Sequence, residues 1–445
     1  MLPTDRFLSY ISQHNLFGHA DRLLLGVSGG KDSVLLAHLL YASGYQFGIA
    51  HCNFCLRDEE SNGDEVFTRE LASQLNVPFH SIRFDTPAYA SSNQISIQMA
   101  ARELRYAWFE QVRQEHGYHY IAVAQHKSDA TETILLNLIR GTGIAGLHGI
   151  LPRRDRILRP LLFLTAEEID AIVSNSSISY REDSSNASIK YARNKIRHEV
   201  IPKMKQLNED LDLTFEENSR RFLQVEIFLN QEVEKLRNKF FHHTSVDTIE
   251  IDVDLLADLN PRDLLLYELL KPYQFNETTI QDLVSVWRTQ SGKIFESKSH
   301  VLLLDRSTLI LKKRSSAESP EIAILKDTKN FEWNGMKYTI SRVTPEELRF
   351  SGDGKIAYLN ADLLQFPLNL RLWNKGDYFH PLGMTGKKNI SDFFIGQKLN
   401  RFGKAEIGIL ENGNGDILWV VGYRSDNRYR VTSDTQNIFI IETSE

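Results

Sequence analysis

The chain has 445 residues, more than one ordinary hydrophobic core serves, so two or three domains are expected. It is 42% hydrophobic and 25% charged, has no run of about 18 apolar residues, and is polar and charged throughout Met1 to Leu16, which argues against a membrane partner and a signal peptide. Two cysteines suit a reducing, cytoplasmic setting, and a net charge of −6 means that any nucleic-acid surface must be a local patch.

In chain order, Leu23-Leu24-Leu25-Gly26-Val27 is an apolar run of the length of a buried parallel strand, and Val34 to Leu40 opens a helical pattern. Between them lies Ser28-Gly29-Gly30-Lys31-Asp32-Ser33. A strand–glycine turn–helix unit aims backbone N–H groups and the positive end of the helix dipole at one spot, and glycine there admits a phosphate that a Cβ would keep out. Ser28 and Ser33 can donate to phosphate oxygens, whereas Asp32 repels a phosphate unless a cation lies between them. The spacing is not that of a Walker A loop or of the dinucleotide fingerprint. An ordinary glycine-rich turn is the plain alternative. Ser-Gly-Gly-x-Asp-Ser resembles the pyrophosphate loop of the PP-loop ATP pyrophosphatases, which cleave ATP between its α and β phosphates.

Gln46 to His51 reads as a second strand, Glu65 to Leu75 as a helix, and Phe79 to Phe84 as a third strand. Ile97 to Glu115 reads as a long amphipathic helix and Tyr118 to Ala124 as a fourth strand. This alternation predicts an α/β fold with a doubly wound parallel sheet, whose ligands lie at the carboxyl ends of the strands. The glycine loop, His51 and the segment after Ala124 then converge on one crevice.

Several side chains keep two readings. Cys52 and Cys55 have C-x-x-C spacing, but a structural zinc needs four ligands and no other cysteine exists, so two small residues at a strand end are the alternative. In the long helix Met99, Ala101, Leu104 and Trp108 are expected to be buried. Arg102 and Arg105, three apart, make either a solvated basic face or a guanidinium pair for phosphate or carboxylate. Asp129 and Glu132 sit near a helix start and either share a cation or cap the helix. Arg140-Gly141-Thr142-Gly143 supplies a basic, flexible loop.

The ordered set Ser-Gly-Gly-x-Asp-Ser, His51-x-Asn53-x-x-Leu56-Arg57, Ala100-Ala101-Arg102-x-x-Arg105-Tyr106, His126-x-x-Asp129-x-x-Glu132-Thr133 and Arg140-Gly141-x-Gly143 resembles the tRNA(Ile)-lysidine synthetase family. Arg159-Pro160-Leu161-Leu162, Asp183-Ser184-Ser185-Asn186 and Tyr191-x-Arg193-Asn194-x-Ile196-Arg197 extend the match. Phe54, Cys55, Ser128, Ala130 and Thr131 depart from the family's pattern, which has a histidine and glycine after Asn53, and two adjacent aspartates and a glutamine after His126.

Farther on, Leu207 to about Phe241 is a charged helical pattern, residues 251–290 suggest short helices, and Val301 to Leu311 a β-hairpin around Asp305-Arg306-Ser307. A linker is expected at Lys312 to Pro320, followed by β patterns at Phe331 to Val343, Leu368 to Trp373 and Ile417 to Val421. Gly376 to Gly383, Lys387-Lys388-x-Ile390-Ser391-Asp392-Phe393-Phe394 and Gly422-Tyr423-Arg424 resemble that family's RNA-binding C-terminal domain; a solvated lysine pair is the alternative for Lys387 and Lys388.

The resemblance implies a catalytic PP-loop domain (residues 1–205, adenine nucleotide α-hydrolase-like), a mainly helical middle domain (206–315) and a small α+β RNA-binding domain (321–445). It implies ATP held by Ser28, Gly29, Gly30, Lys31, Asp32, Ser33, His51 and His126, with Mg²⁺ on Asp32 and Asp129. Asp32, Asp129 and Glu132 are the expected catalytic carboxylates. Arg102, Arg105, Arg140, Arg193, Arg197, Lys387 and Lys388 are the expected tRNA and phosphate contacts. The implied substrates are free L-lysine and tRNA(Ile) with the CAU anticodon; a homodimer stays open. A tRNA thiolase using Cys52 or Cys55, and a nucleotide- and RNA-binding protein without turnover, are the rival readings.

Overall fold

The computed structural model describes residues 2–56, 58–176, 178–181, 192–287, 289–314 and 321–444. Arg57, Asp183 to Asn186, Tyr191 and residues 315–320 of the expected linker lie outside them. The chain forms two compact units, Met1–Asn230 and Gln231–Glu445.

The first unit runs α1 (Thr4–Gln13), β1 (Arg22–Gly26), α2 (Lys31–Ala42), β2 (Gln46–Asn53), α3 (Asp58–Gln74), β3 (Phe79–Arg83), α4 (Thr86–Asn93) and α5 (Ile97–Glu115). It continues with β4 (Tyr120–Ala122), α6 (Lys127–Arg140), α7 (Ile144–Leu147), β5 (Arg153–Arg154), β6 (Ile157–Leu158) and α8 (Ala166–Asn175). Then come α9 (Ala192–Lys195), a π-helical turn at Ile196–Val200, α10 (Ile201–Lys205) and α11 (Leu211–Phe240), inside which the division between units falls. The sheet order is β3-β2-β1-β4-β6-β5, parallel except for β5. The doubly wound parallel sheet expected from the sequence is therefore present.

Leu23, Leu24 and Leu25 are all fully buried because the sheet is covered on both faces. Leu23 and Leu25 join Phe7, Leu36 and Ile169 in one core, while Leu24 joins Trp108, Phe109 and Val112 in the other, as the two-residue period of a strand requires. Helix α5 has the bounds read from the sequence, with Ser96 Oγ accepting the Met99 N–H (3.2 Å) at its start. Its buried face is rotated from the expected one: Ala100, Ala101, Trp108, Phe109 and Val112 are inside, and Met99 is 52% exposed.

In the second unit, β7 (Phe241–Ser245) and β8 (Thr248–Asp252) precede α12 (Val253–Ala257), α13 (Arg262–Leu270) and α14 (Glu277–Val286). After these come β9 (Lys293–Glu296), β10 (His300–Asp305) and β11 (Thr308–Lys313), and the strands form an antiparallel sheet ordered β7-β8-β11-β10-β9. The expected hairpin is β10–β11, turning at Arg306 with φ 55°. The region expected to be mainly helical thus carries a full sheet, whose edge strand β7 exposes four of its five residues and so shows no apolar alternation.

Farther on, a five-stranded and a four-stranded antiparallel sheet enclose a core that includes Trp333, Tyr338, Leu370, Leu410, Trp419 and Phe439. A helix at Ile390–Gly396 contributes Phe393 and Phe394 to a second core with Ile409, Ile417 and Val420. Next to it a two-stranded ribbon pairs Tyr378–Phe379 with Lys388–Asn389.

Candidate active site

The site lies at the carboxyl ends of β1, β2 and β4, beside the place where the strand order reverses between β1 and β4. Beyond β1 the Val27 N–H still donates to Ala50 O (2.9 Å), and the chain then turns through Ser28, Gly29 and Gly30 into α2. Gly29 has φ +96°, a conformation that favours glycine. Ser33 pins the turn: its Oγ accepts the Ser28 N–H (3.2 Å) and donates to Gly30 O (2.9 Å), while Ser28 Oγ accepts the Gly30 N–H (3.3 Å). Gly30, the residue before α2, brings no side-chain cap, so the first-turn N–H groups and the dipole of α2 face the cradle. Lys31 turns aside to pair with Asp170 of α8.

Among the described residues, three buried polar atoms around this cradle lack a partner: Asp32 Oδ1, His51 Nε2 and His126 Nδ1. Burial pushes the Asp32 carboxyl above its ordinary value; Asp129 adds to the rise, and His126, Lys31 and Arg197 oppose it. His51 Nδ1 lies 2.9 Å from Val27 O, which can only accept, so this nitrogen carries the proton and Nε2 is left as an acceptor. Burial also pulls the His51 pKa down, keeping the ring neutral.

Asp129 and Glu132 do come together, but each is already engaged. Asp129 Oδ2 accepts the His126 N–H (3.1 Å), so this carboxylate does cap α6, and its Oδ1 lies 3.3 Å from both Arg193 Nη2 and Arg197 Nη2. Glu132, 1% exposed, accepts from Arg193 Nε (2.8 Å) and Arg197 Nη2 (3.1 Å) and pairs with Arg197 Nε. Two carboxylates and two guanidiniums thus form a neutral cluster, with Arg197 on the π-helical turn, a device common at functional sites.

The other predicted cations are placed differently. Arg102 lies over the Tyr106 ring (4.9 Å) and Arg105 over Phe54 (5.2 Å). Arg140 is exposed at the far end of α6, about 16 Å along the helix from Asp129 at about 1.5 Å per residue. In the second unit Lys387 lies over Tyr378 (4.9 Å) and Lys388 over Phe393 (5.9 Å). Cys52 and Cys55 are free thiols, and burial drives the Cys52 pKa up to about 12.

Sequence reasoning missed the braces. The Arg181 N–H donates to Gly29 O (3.0 Å), and the Arg181 side chain pairs with Asp64. Asp212 is buried against α6. These contacts join residues far apart in the chain, and no local pattern announces them.

Residues 5–204 match the PP-loop domain family, 244–314 the TilS substrate binding domain and 368–441 the TilS substrate C-terminal domain. A tRNA(Ile)-lysidine synthase of Parabacteroides distasonis is 39% identical over 447 residues, covering 99% of each chain. The chain belongs to the tRNA(Ile)-lysidine synthase family. The Bacteroides thetaiotaomicron tRNA(Ile)-lysidine synthase is also 39% identical, over 98% of both chains. Among solved structures, the U34-tRNA thiolase NcsA of Methanococcus maripaludis aligns at 14% identity and TM-score 0.42, covering 49% of this chain and 78% of that one. As a tRNA(Ile)-lysidine synthase family member, the chain carries its PP-loop cradle in the first unit and both TilS substrate domains in the second. Among the described residues no helix is long and apolar enough to cross a membrane.

Proposed function

We propose that this protein ligates free L-lysine to C2 of the wobble cytidine of tRNA(Ile) with the CAU anticodon, consuming ATP and releasing AMP and pyrophosphate. The observation that carries the reading is the 39% identity to a tRNA(Ile)-lysidine synthase over 99% of both chains. Cytidine O2 attacks the α-phosphate of ATP and pyrophosphate departs; the lysine ε-amine then attacks C2 and AMP leaves. Adenylation turns O2 into a good leaving group.

Each site residue has a role consistent with its position. The N–H groups of Gly29 and Lys31, with the Ser28 hydroxyl, receive the pyrophosphate end of ATP on the turn that Gly30 and Ser33 shape by their own hydrogen bonds, and His51 and His126 offer their unpartnered ring nitrogens to the same nucleotide. Mg²⁺ fits the donor set. Asp32 Oδ1 is a buried acceptor without a partner among the described residues, and Asp129 stands near enough to raise its pKa, its own oxygens being held by the His126 N–H and by Arg193 and Arg197. Among the described residues no three His, Cys, Asp or Glu side chains gather to cage a metal, so phosphate oxygens and water would complete the sphere, as Mg²⁺ prefers. When bound, the ion supplies positive charge against that developing on pyrophosphate. The amine must be neutral to attack, a task for one of the carboxylates Asp32, Asp129 and Glu132. Arg102, Arg105, Arg140, Arg193 and Arg197 are assigned to tRNA and nucleotide phosphates, and Lys387 and Lys388 to tRNA. The working division of the chain is residues 1–205, 206–315 and 321–445.

A thiolase needs a thiolate, and the Cys52 thiol, at about 12, is protonated at neutral pH. The deciding assay is AMP release from ATP with purified protein, lysine and tRNA(Ile) transcript. AMP that requires both lysine and tRNA is expected; AMP formed without lysine, or none at all, overturns the proposal.

A further inference from the structure

We infer that Asp212 is a positioning residue for this reaction: from the first turn of α11 its buried carboxylate holds the start of α6 and so sets where Asp129 and Glu132 stand relative to Asp32. The inference rests on the lysidine-forming reading above. Asp212 is 5% exposed. Thr131 Oγ1 donates to its Oδ1 (2.6 Å), Ser128 Oγ donates to its Oδ2 (3.3 Å), and Lys205 Nζ of α10 stands 3.1 Å from Oδ2. Ser128 Oγ also accepts the N–H of Ala166, the first residue of α8 (3.2 Å), and Lys205 reaches Glu167 (2.6 Å). One carboxylate thereby ties α6, α8, α10 and α11 together.

Ser128 and Thr131 share one face of α6, and Asp129 and Glu132 the next, because residues three apart are neighbours on a helix. A turn of α6 about its axis would carry both pairs together. A cleft of about 390 Å³ beside α6, lined by Ala130, Thr131, Ile134, Asp212 and Phe215, leaves part of this face unfilled, although Thr131 and Ile134 themselves are buried. The bonds to Asp212 hold the register from this face, as the Arg193 and Arg197 clasp holds it from the next.

The test uses the full chain as wild type, Asp212→Asn, Ser128→Asp, Asp212→Asn/Ser128→Asp and the near-isosteric Thr131→Val. For each, the folded fraction, kcat and KM of lysine-dependent AMP release, and amide exchange across residues 128–133 without substrates are measured. Asp212→Asn is expected to lower kcat per folded molecule about tenfold or more with KM for tRNA within about twofold, since misplacement by an ångström costs up to about a hundredfold. It is also expected to speed exchange in α6 and not in α2. Thr131→Val should show the same signs, more weakly, and it keeps the test open if the asparagine variant does not fold. Ser128→Asp in the Asp212→Asn background returns a carboxylate to the same spot and should recover most of the lost kcat, whereas Ser128→Asp alone sets two buried carboxylates together and should melt below wild type.

A wild-type kcat per folded molecule in Asp212→Asn, or recovery of melting without recovery of kcat in the double variant, overturns the positioning role. Unchanged α6 exchange in Asp212→Asn overturns it whatever reaction the protein performs. A wild-type protein that makes no lysine- and tRNA-dependent AMP refutes the functional reading instead, and the exchange data then decide on Asp212 alone.

Discussion

Replacing Asp32 by asparagine should make the protein more stable and inactive at once. Asp32 Oδ1 is buried without a partner among the described residues, and burial, reinforced by Asp129, holds its carboxyl above the ordinary 3.8. An unpaired buried polar group costs about 1–3 kcal/mol, more when charged. The amide removes the charge but leaves an unpaired atom, so the net gain is of order 1 kcal/mol, which for a unit of this size is a melting rise of roughly 2–4 °C. The pH dependence has a definite sign. Between the ordinary and the raised value the folded chain keeps a proton that the unfolded chain has lost, so stability falls as pH rises through that window. The advantage of Asp32→Asn is therefore absent in acid and complete above the raised value. Paired thermal melts without nucleotide near about pH 4 and about pH 8, beside tRNA-dependent ATP–pyrophosphate exchange, check both halves. A variant that melts at or below wild type at the higher pH, or that keeps its exchange activity, refutes the reasoning.

Four further outcomes are expected. Gly29→Ala places a Cβ no nearer than 3.7 Å to its neighbours but at φ +96°, so it should cost about 1–2 kcal/mol of backbone strain and raise KM for ATP about tenfold, read from melts and initial rates. Glu132→Ala strands two guanidiniums that are 38% and 36% exposed, so the usual loss of about 3–5 kcal/mol for a broken buried pair shrinks to about 2 kcal/mol; a calorimetric loss under about 0.5 kcal/mol would contradict the clasp. Lys387→Ala/Lys388→Ala should weaken tRNA binding and lower its salt slope by about 1–2 while leaving ATP affinity unchanged, as a titration over several salt concentrations would show. Cys52→Ala/Cys55→Ala should keep AMP release at the wild-type rate, and its loss would revive the sulfur-transfer alternative.

What the sequence made legible was what repeats locally. The Leu23–Leu25 run and the helical pattern of Ile97–Glu115 are local, and the hairpin His300–Lys313 carries two apolar runs about a polar turn that make it readable. Strand β7 was not readable, because an edge strand buries one residue in five and offers no pattern. The exposure of Met99 was hidden for another reason: hydrophobicity favours burial, but which side of a helix faces inward is set by what it packs against, and here Ala100 and Ala101 are buried while Met99 is not. At the site, the glycine loop was readable because its chemistry sits in six consecutive residues. The clasp of Arg193 and Arg197 on Asp129 and Glu132 was not, since its partners lie 61 to 68 residues apart, and Asp212 lies 81 to 84 residues from the hydroxyls it holds.

The character of the unpartnered atoms limits what the crevice can receive. Ionised Asp32 can only accept, and His51, with its proton on Nδ1, also presents an acceptor. A bare triphosphate brings acceptors as well, so its oxygens cannot satisfy these atoms and would be repelled by Asp32. On the proposed reading the phosphates settle instead on the other half of the cradle, the N–H groups of Gly29 and Lys31 and the Ser28 hydroxyl, since the Gly30 N–H and the Ser33 hydroxyl donate within the turn. Asp32 and His51 then call for a donor or a cation: a metal ion carried with the phosphates, an ordered water, or the amino group of a base. Donors on one wall and unmatched acceptors on the other support the proposed reading of a nucleotide that arrives with its cation, and on that reading a free inorganic anion would be poorly held.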